Sequence, residues 1–317
     1  MSVSTSAHAA ARCRPAQPAR PAPGARPAMG LLYLVMSGLL WGTGGLTGSL
    51  FGRIAGLSAM SVAAYRLTVG GALIVAFLMV TGRRWPGGRA AWVRITAIGL
   101  LAAQFQACYF IAVSLTSVSL ATLITVGSAP VIVLCVERMT ARCRIGRLKA
   151  GAACLALVGL GLLVGLPSGA AHQAAVLAGA GMAVLAATGF AGVTLLGERP
   201  VPGLDDLTAT GFGFAVGGLV LMALTAAAGG GLGFQPGPAT IGLLIALGTG
   251  PTAVAYTLYF RGLRTAAAST AALLALLEPL TGAVLAALIL GDRLGATGFA
   301  GMVILAAAMI LAARSHR

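Results

Sequence analysis

The chain has 317 residues, of which 58% are hydrophobic and only 9% are charged, and its mean hydropathy is +0.97. A soluble domain of this size would carry far more charge at its surface, so the composition indicates a protein embedded in a bilayer. The formal net charge of +15 raises the alternative of nucleic-acid binding, but no basic stripe with interleaved aromatic residues accompanies it. Nucleic acid is therefore not an expected partner.

Ten long apolar segments, separated by short connectors, follow one another along the chain. Each has about the 20 residues that a helix needs to cross the hydrocarbon core of a bilayer. The segments are too long and too continuously apolar for barrel strands, and backbone amides cannot face lipid unpaired. We therefore predict an all-α integral membrane protein with the spans Gly30–Leu50, Ser61–Val80, Ile95–Val113, Val118–Val136, Leu148–Leu166, Ala174–Gly197, Leu207–Ala228, Ala239–Phe260, Ala266–Leu290 and Gly295–Ala313.

Positive charge falls on alternate connectors. With a cytoplasmic N-terminus, 18 of the 21 Lys and Arg residues lie on the cytoplasmic side, and only Arg53, Arg66 and Arg293 lie on the outer side. This distribution is the positive-inside bias of membrane proteins. We expect a multi-pass protein of the plasma membrane, in contact with membrane lipid, with both chain ends in the cytoplasm.

Residues 1–29 are rich in Ala, Pro and Arg, and the rest of the chain looks duplicated. The first stretch cannot bury enough apolar surface to order itself and is predicted to be a disordered cytoplasmic tail. Beyond it, an offset of 149 residues aligns Pro130 with Pro279 and Gly99 with Gly248. Each half holds five spans, an odd number, so the second half must run inverted. The prediction is ten transmembrane helices as two inverted five-helix repeats, residues 30–166 and 174–313, an architecture of many secondary transporters.

Small residues are abundant in the first span. We interpret Gly38, Gly42 and Gly45 as packing positions, because small residues let helix backbones approach each other in lipid. Flexible hinges are the alternative.

Catalytic and cofactor constellations are missing from the sequence. The histidines, His8, His172 and His316, all lie outside the predicted spans, and no GxxxxGK[ST] motif occurs. We therefore expect neither a metal nor another cofactor, no catalytic residue, and no nucleotide hydrolysis by this chain alone.

Charged groups inside a membrane are costly and are functional candidates. Glu278 falls near the middle of the ninth span and is followed by Pro279. It could bind a proton, a cationic substrate group or an Arg partner, or it could be a structural carboxylate beside the proline-disrupted turn. Pro279 and Pro130 are expected to kink their helices around a central cavity. Glu137, beside Arg138 at the end of the fourth span, suggests an ion pair at the interface.

Several other polar and aromatic residues are candidates to line a pathway. Arg66 either snorkels to the interface or faces a cavity, and Trp41, in mid-span, is either a cavity wall or a packing residue. Thr252 and Tyr256 share a helix face. The full set of predicted pathway residues is Trp41, Gly42, Thr43, Arg66, Gln104, Gln106, Tyr109, Thr252, Tyr256 and Glu278.

Three stretches resemble a known family. MGLLYLVMSGLLWGTGGLTGSLF, AAYRLTVGGALIVAFLM and AASTAALLALLEPLTGAVLAALILGDRLGATGFAGMVILAAAMIL are similar to helices one, two, nine and ten of EamA-type transporters in the drug/metabolite transporter superfamily. The residues that carry the likeness are the Trp41-Gly42 pair, Arg66, Glu278-Pro279 and the turn Asp292-Arg293-Leu294. The first half departs from the pattern, with Ala129 before Pro130 where the second half has Glu278.

The resemblance implies a secondary transporter of small organic metabolites, often an exporter of amino acids or related compounds and sometimes of drugs, working by alternating access. A coupling proton is a possible partner besides the solute, and the chain is expected to act as a monomer or a homodimer. The alternatives are a passive channel, a membrane sensor or structural protein, and an intramembrane enzyme acting on lipids.

Overall fold

The computed structural model describes residues 27–83, 85–116, 118–141, 146–164, 173–290 and 295–314. The predicted disordered tail lies outside these ranges up to residue 26, as does the turn Asp292-Arg293-Leu294. The described chain is almost entirely helical. Its helices are α1 Pro27–Ala55, α2 Ala59–Val80, α3 Gly88–Leu115, α4 Val118–Ala141, α5 Arg147–Val164, α6 Gln173–Glu198, α7 Asp206–Ala227, α8 Pro238–Gly248, α9 Ala255–Gly262, α10 Ala268–Leu274, α11 Leu277–Leu285 and α12 Ala296–Arg314.

These twelve helices correspond to the ten predicted spans, because two of the spans are interrupted. A π-helical stretch, Thr249–Val254, joins α8 to α9, and a turn at residues 275–276 separates α10 from α11. By length and composition, nine of the spans in the described ranges can cross a membrane. The fifth predicted span, Leu148–Leu166, corresponds to α5, and its last two residues are not described.

Large apolar side chains cover the outside of the bundle. Phe77, Leu219 and Phe299 are each more than half exposed, at 53%, 62% and 59%. So much exposed apolar surface is stable only against lipid. The prediction of an all-α membrane protein is confirmed.

The helix contacts repeat between the two halves of the chain. Helix α3 packs on α6 and α7, and its counterpart, the α8–α9 span, packs on α1 and α2. Helix α4 packs on α6, and its counterpart α11 packs on α1. Helices α2 and α5 pack on their own counterparts, α7 and α12. This exchange symmetry confirms the two inverted five-helix repeats, with the α2–α7 and α5–α12 pairs around the pseudo-two-fold axis.

Short polar residues begin corresponding helices of the two repeats. The Ser58 hydroxyl accepts a hydrogen bond from the Ser61 N–H (3.1 Å) at the start of α2. The Asp205 carboxylate accepts one from the Thr208 N–H (2.8 Å) at the start of α7. Each cap satisfies an N–H that the helix itself leaves unpaired, which fixes where the span begins.

Glycine permits the close crossing of α5 and α12. A Cβ added at Gly159 would lie 2.6 Å from the Leu305 backbone nitrogen, and one added at Gly301 would lie 2.4 Å from that of Leu163. Neither backbone can give way without moving its helix. Gly161, two residues along α5, has no heavy atom within 4 Å of such a Cβ.

We expect Gly159→Ala to destabilise the protein by about 1–3 kcal/mol, because its methyl group collides with backbone atoms of α12. Gly161→Ala, on the same helix, is the matched control and should be neutral or stabilising by up to about 1 kcal/mol. Unfolding of the purified protein in detergent measures both. Equal stability of the two variants would contradict the close crossing.

Candidate functional site

Two interruptions in the second repeat shape the centre of the bundle. Pro251 has no N–H to donate, and the chain passes it through the π-helical stretch, where the Thr252 hydroxyl donates to the Leu247 carbonyl (2.8 Å). In the ninth span, the Glu278 N–H donates to the Ala275 carbonyl (3.0 Å), and Pro279 stands in the first turn of α11. Proline is tolerated there because the first N–H groups of a helix have no partner within it.

A cavity of about 510 Å³ lies between the two repeats. Its wall comes from α1, α2, α3 and α4 of the first repeat and from α6, α8, α9, α10 and α11 of the second. Toward one end of the bundle it reaches Arg53 at the end of α1 and Ala59 at the start of α2, both exposed to solvent. We call this end the mouth of the cavity.

An aromatic cluster around Trp41 closes the other end of the cavity. The Trp41 ring lies 4.8 Å from that of Tyr256, 4.9 Å from Tyr259 and 5.9 Å from Phe190, centroid to centroid. The Tyr259 hydroxyl is hydrogen-bonded to that of Thr194 (2.8 Å). These rings pack in edge-on and tilted arrangements typical of stable aromatic clusters. We call Trp41, Phe190, Tyr256 and Tyr259 the aromatic floor.

The floor carries an unused hydrogen-bond donor. Trp41 is only 5% exposed and lines the cavity, yet its Nε1 has no partner in the described chain. An indole N–H can only donate, so a bound molecule with an acceptor would complete it. Trp41 thus serves both as packing residue and as cavity wall.

Arg66 and Glu278 face the same space from opposite repeats. Both line the cavity, and Glu278 is exposed into it. The Arg66 Nε is buried without a hydrogen-bond partner, and no described side chain pairs with the Glu278 carboxylate. The two charges attract each other electrostatically without a direct ion pair. Of the two positions considered for Arg66, the structure shows the cavity.

The cavity wall holds further polar groups on α3. Gln106 lines the cavity, and Tyr109 lines it with its hydroxyl bonded to that of Thr122 (2.8 Å). Gln104, two residues earlier, turns away and donates to the Leu185 carbonyl of α6 (2.6 Å). Gln104 therefore links two helices, whereas Gln106 belongs to the cavity wall.

Four of the predicted pathway residues do not line the cavity. Gly42 faces α11, where an added Cβ would lie 2.4 Å from Thr281 Cβ, and Thr43 donates to the Leu40 carbonyl of its own helix (2.7 Å). Gln104 and Thr252 make the bonds described above. The other six predicted residues, Trp41, Arg66, Gln106, Tyr109, Tyr256 and Glu278, come together on the wall. A transport role for any of the ten stays a prediction.

Sequence reasoning missed part of the wall. Phe190 carries no polar signal and resembles any other apolar residue of a span, so only its position beside Trp41 reveals it. The sequence predicts Gly45 as a packing position, but the residue lines the cavity, with no heavy atom within 4 Å of an added Cβ. The spacing of Gly45, Gly48 and Gly52 along one face of α1 was an available signal.

No group of three or more His, Cys, Asp or Glu side chains that could hold a metal ion occurs within the described ranges.

The comparisons with known proteins agree with this geometry. A membrane bundle of two repeats around a central cavity is the architecture of many membrane transporters. The profile of the EamA-like transporter family matches residues 28–165 and 177–314, and the chain belongs to that family. Each matched stretch is displaced from the other by 149 residues at both ends. The predicted family is thus confirmed, and the chain is a multi-pass membrane transporter of a small-molecule substrate.

Two individual relatives extend the comparison. The chain is 26% identical over 286 residues to the "Uncharacterized transporter YwfM" of Bacillus subtilis (strain 168), which covers 90% of this chain and 94% of that protein. One crystal structure of a protein superposes on this chain with a TM-score of 0.75 and 19% sequence identity. The superposition covers 89% of this chain and 97% of the other chain. The second likeness shows the fold alone.

We expect Ser49→Cys to react with a water-soluble thiol reagent much faster than Gln104→Cys, because Ser49 lines the cavity and is exposed, while position 104 faces α6. Both variants are made after the chain's five cysteines have been replaced by serine, and labelling is followed by mass spectrometry. Equal labelling rates would contradict the cavity as described.

Proposed function

We propose that the protein is a secondary transporter that moves an amino acid or a related small zwitterion across the plasma membrane by alternating access. The observation that carries the proposal is the pair of opposite charges, Arg66 and Glu278, that share the cavity without contacting each other. A guanidinium binds a carboxylate, and a carboxylate binds an ammonium group. A solute with both groups would bridge them.

The rest of the wall supports a solute of this size and chemistry. A cavity of about 510 Å³ falls within the range of pockets that enclose small organic ligands. The aromatic floor offers apolar surface and one free N–H at Trp41. A purely cationic drug would satisfy Glu278 but would leave the buried Arg66 Nε unpaired, which is costly. This favours the zwitterion over the drug.

One end of the bundle, which we call the arginine-rich end, carries Arg83 after α2, Arg138 near the end of α4, Arg199 after α6 and Arg264 after α9. We further propose that this end faces the cytoplasm, as the positive-inside bias indicates. The mouth of the cavity, at the other end, then opens outward. An exporter releases its solute from this state, and the family resemblance favours export. Glu278, the sole acidic residue on the described part of the wall, would take up a coupling proton when the solute leaves.

The closed aromatic floor favours a carrier over a passive channel. In the described chain the cavity ends at Trp41 and Tyr256 instead of continuing through the bundle.

Counterflow in proteoliposomes tests the proposal. Vesicles loaded with one unlabelled amino acid are diluted into a solution of the same amino acid in labelled form. The amine and the carboxylic acid that each lack one of its two charged groups are tested separately in the same way. We expect transient accumulation for at least one amino acid and none for analogues that lack either charge. Accumulation of the amines alone would overturn the zwitterion, and flux without exchange would show a channel.

For the transported amino acid, we expect Arg66→Gln to raise the half-saturating concentration by about 30-fold or more. The loss of one partner from a buried charged contact costs about 2–5 kcal/mol. Arg53→Gln is the matched control, since Arg53 also lines the cavity but is exposed at its mouth. Equal effects of the two substitutions would show that Arg66 does not bind the carboxylate.

Glu278→Gln removes the proposed proton site while keeping its shape. We expect exchange by the wild-type protein to change with pH between about pH 5 and 8 and exchange by the variant to lose that dependence. Asp205→Asn, at the arginine-rich end, should behave like the wild type. If Glu278→Gln leaves the pH profile unchanged, the residue carries no coupling proton.

A further inference from the structure

A second polar cluster lies at the arginine-rich end of the bundle, around the start of α10. Glu137, near the end of α4, accepts a hydrogen bond from the Ser269 N–H (2.9 Å), and Glu198, at the end of α6, accepts one from the Ala268 N–H (3.4 Å). The Lys149 Nζ of α5 donates to the Ser269 hydroxyl (3.0 Å). We call these five residues the α10 clasp. The ion pair predicted between Glu137 and Arg138 is not formed.

The clasp supplies hydrogen-bond acceptors to the first N–H groups of α10, which have no capping side chain from the local sequence. The N-cap residue of α10 is Ala267, which has no side chain able to accept a hydrogen bond. Ala268 and Ser269 are fully buried, so their free N–H groups need partners from elsewhere. Two carboxylates supply them at the positive end of the helix, where negative charge is stabilised. One carboxylate comes from each repeat.

Helix α10 separates the clasp from the cavity. Ala272 and Ala275 line the cavity, and Ser269 stands about one turn before Ala272 on the same helix. The whole of α10 is buried. A path from the cavity to the arginine-rich end past α10 would need α10 to move away from α4 or α6, and either movement would break a carboxylate bond of the clasp.

The clasp has no counterpart at the mouth. The offset of 149 residues that relates the two family matches pairs Glu137 with Ala286 and Glu198 with Ser49. It pairs Lys149 with Gly298. An inverted repeat would place a second clasp at the opposite end of the bundle, but its three charged positions hold uncharged residues. Among the described residues, charged groups therefore hold the start of this span at one end of the bundle and not at the corresponding positions of the other.

From this asymmetry we infer that Glu137 and Glu198 are gating residues, which keep the arginine-rich end closed and make the state with an open mouth the resting conformation. The inference rests on the proposed alternating access. It assigns a role in the cycle to two carboxylates that touch neither the cavity nor the solute. Opening toward the arginine-rich end then requires that the solute or a proton offset the clasp.

Distances between spin labels test the inference without any solute. In a cysteine-free protein in lipid nanodiscs, one pair of labels is placed at Met139 and Arg261, both exposed at the arginine-rich end. A second pair is placed at Ile54 and Ser114, both exposed at the mouth. Double electron–electron resonance then reports the closure of each end separately.

We expect the wild-type protein to show mainly the short distance between Met139 and Arg261. Glu137→Ala and Glu198→Ala should each raise the ratio of molecules at the longer distance to molecules at the shorter distance by about tenfold, because a charge-assisted hydrogen bond is lost. The label pair at the mouth should approach in parallel. Asp205→Asn is the matched control: it removes a carboxylate at the same end, paired with Arg83 at 3.6 Å, and keeps the cap of α7.

Glu137→Met and Glu198→Met keep about the same side-chain length without an acceptor oxygen, and they carry the test if the alanine variants do not fold. Unchanged distances in these variants, or a wild-type protein already open at the arginine-rich end, would overturn the clasp as a gate. Active counterflow with unchanged distances would remove the gate but leave the proposed transport intact. Shifted distances in a protein that exchanges no solute would keep the gate and overturn the transport proposal.

Discussion

A bilayer offers no hydrogen-bond partner to a polypeptide, and this constraint accounts for most of the structure. Every backbone N–H and C=O in the hydrocarbon must find its partner within the protein, so the spans are helices. Irregular backbone is tolerated only where other parts of the protein surround it or where it borders a water-accessible space. Both interruptions agree with this rule: Pro251, Thr252 and Ala253 at the centre of the π-helical stretch are buried, and the turn at residues 275–276 adjoins the cavity through Ala275. The site therefore lies where the helical pattern breaks.

The spans and the inverted repeat could be predicted because they depend on properties that can be counted along the chain. These properties are the length of each apolar segment, the charge of the connectors and the odd number of spans in each half. The wall of the cavity depends on which face each helix turns inward, and uniformly apolar spans carry little record of that. Charged and strongly polar residues were exceptions, since lipid excludes them, and Arg66, Gln106 and Glu278 all reach the cavity. Gln104 satisfied its amide on a neighbouring helix, and Phe190 gave no polar signal.

The two halves share a fold but differ in where they place charge. Ala129 lines the cavity before Pro130, where the other repeat has Glu278 before Pro279, so only one repeat brings a carboxylate to the wall. The three charged residues of the clasp likewise correspond to uncharged residues in the other repeat. A perfectly symmetric pair of repeats would give equal energies to the states open at either end. Differences between the halves are thus the source of any preferred direction of closure.

Unpaired groups in the cavity and paired groups in the clasp have opposite energetic consequences. The Arg66 Nε and the Trp41 Nε1 have no hydrogen-bond partner within the described chain, so a solute that offers acceptors would complete both donors. At the start of α10, every charged group of the clasp has a partner, so the closed end gains free energy without any ligand. A solute that bound only the state with an open mouth would stabilise that state and stop the proposed transport cycle. Turnover requires that the solute bind still better once the repeats have moved, because a ligand shifts an equilibrium only by its difference in affinity between the two states. Arg66 and Glu278 belong to opposite repeats, so a solute that holds both charges is the kind of ligand whose affinity depends on how the repeats are arranged.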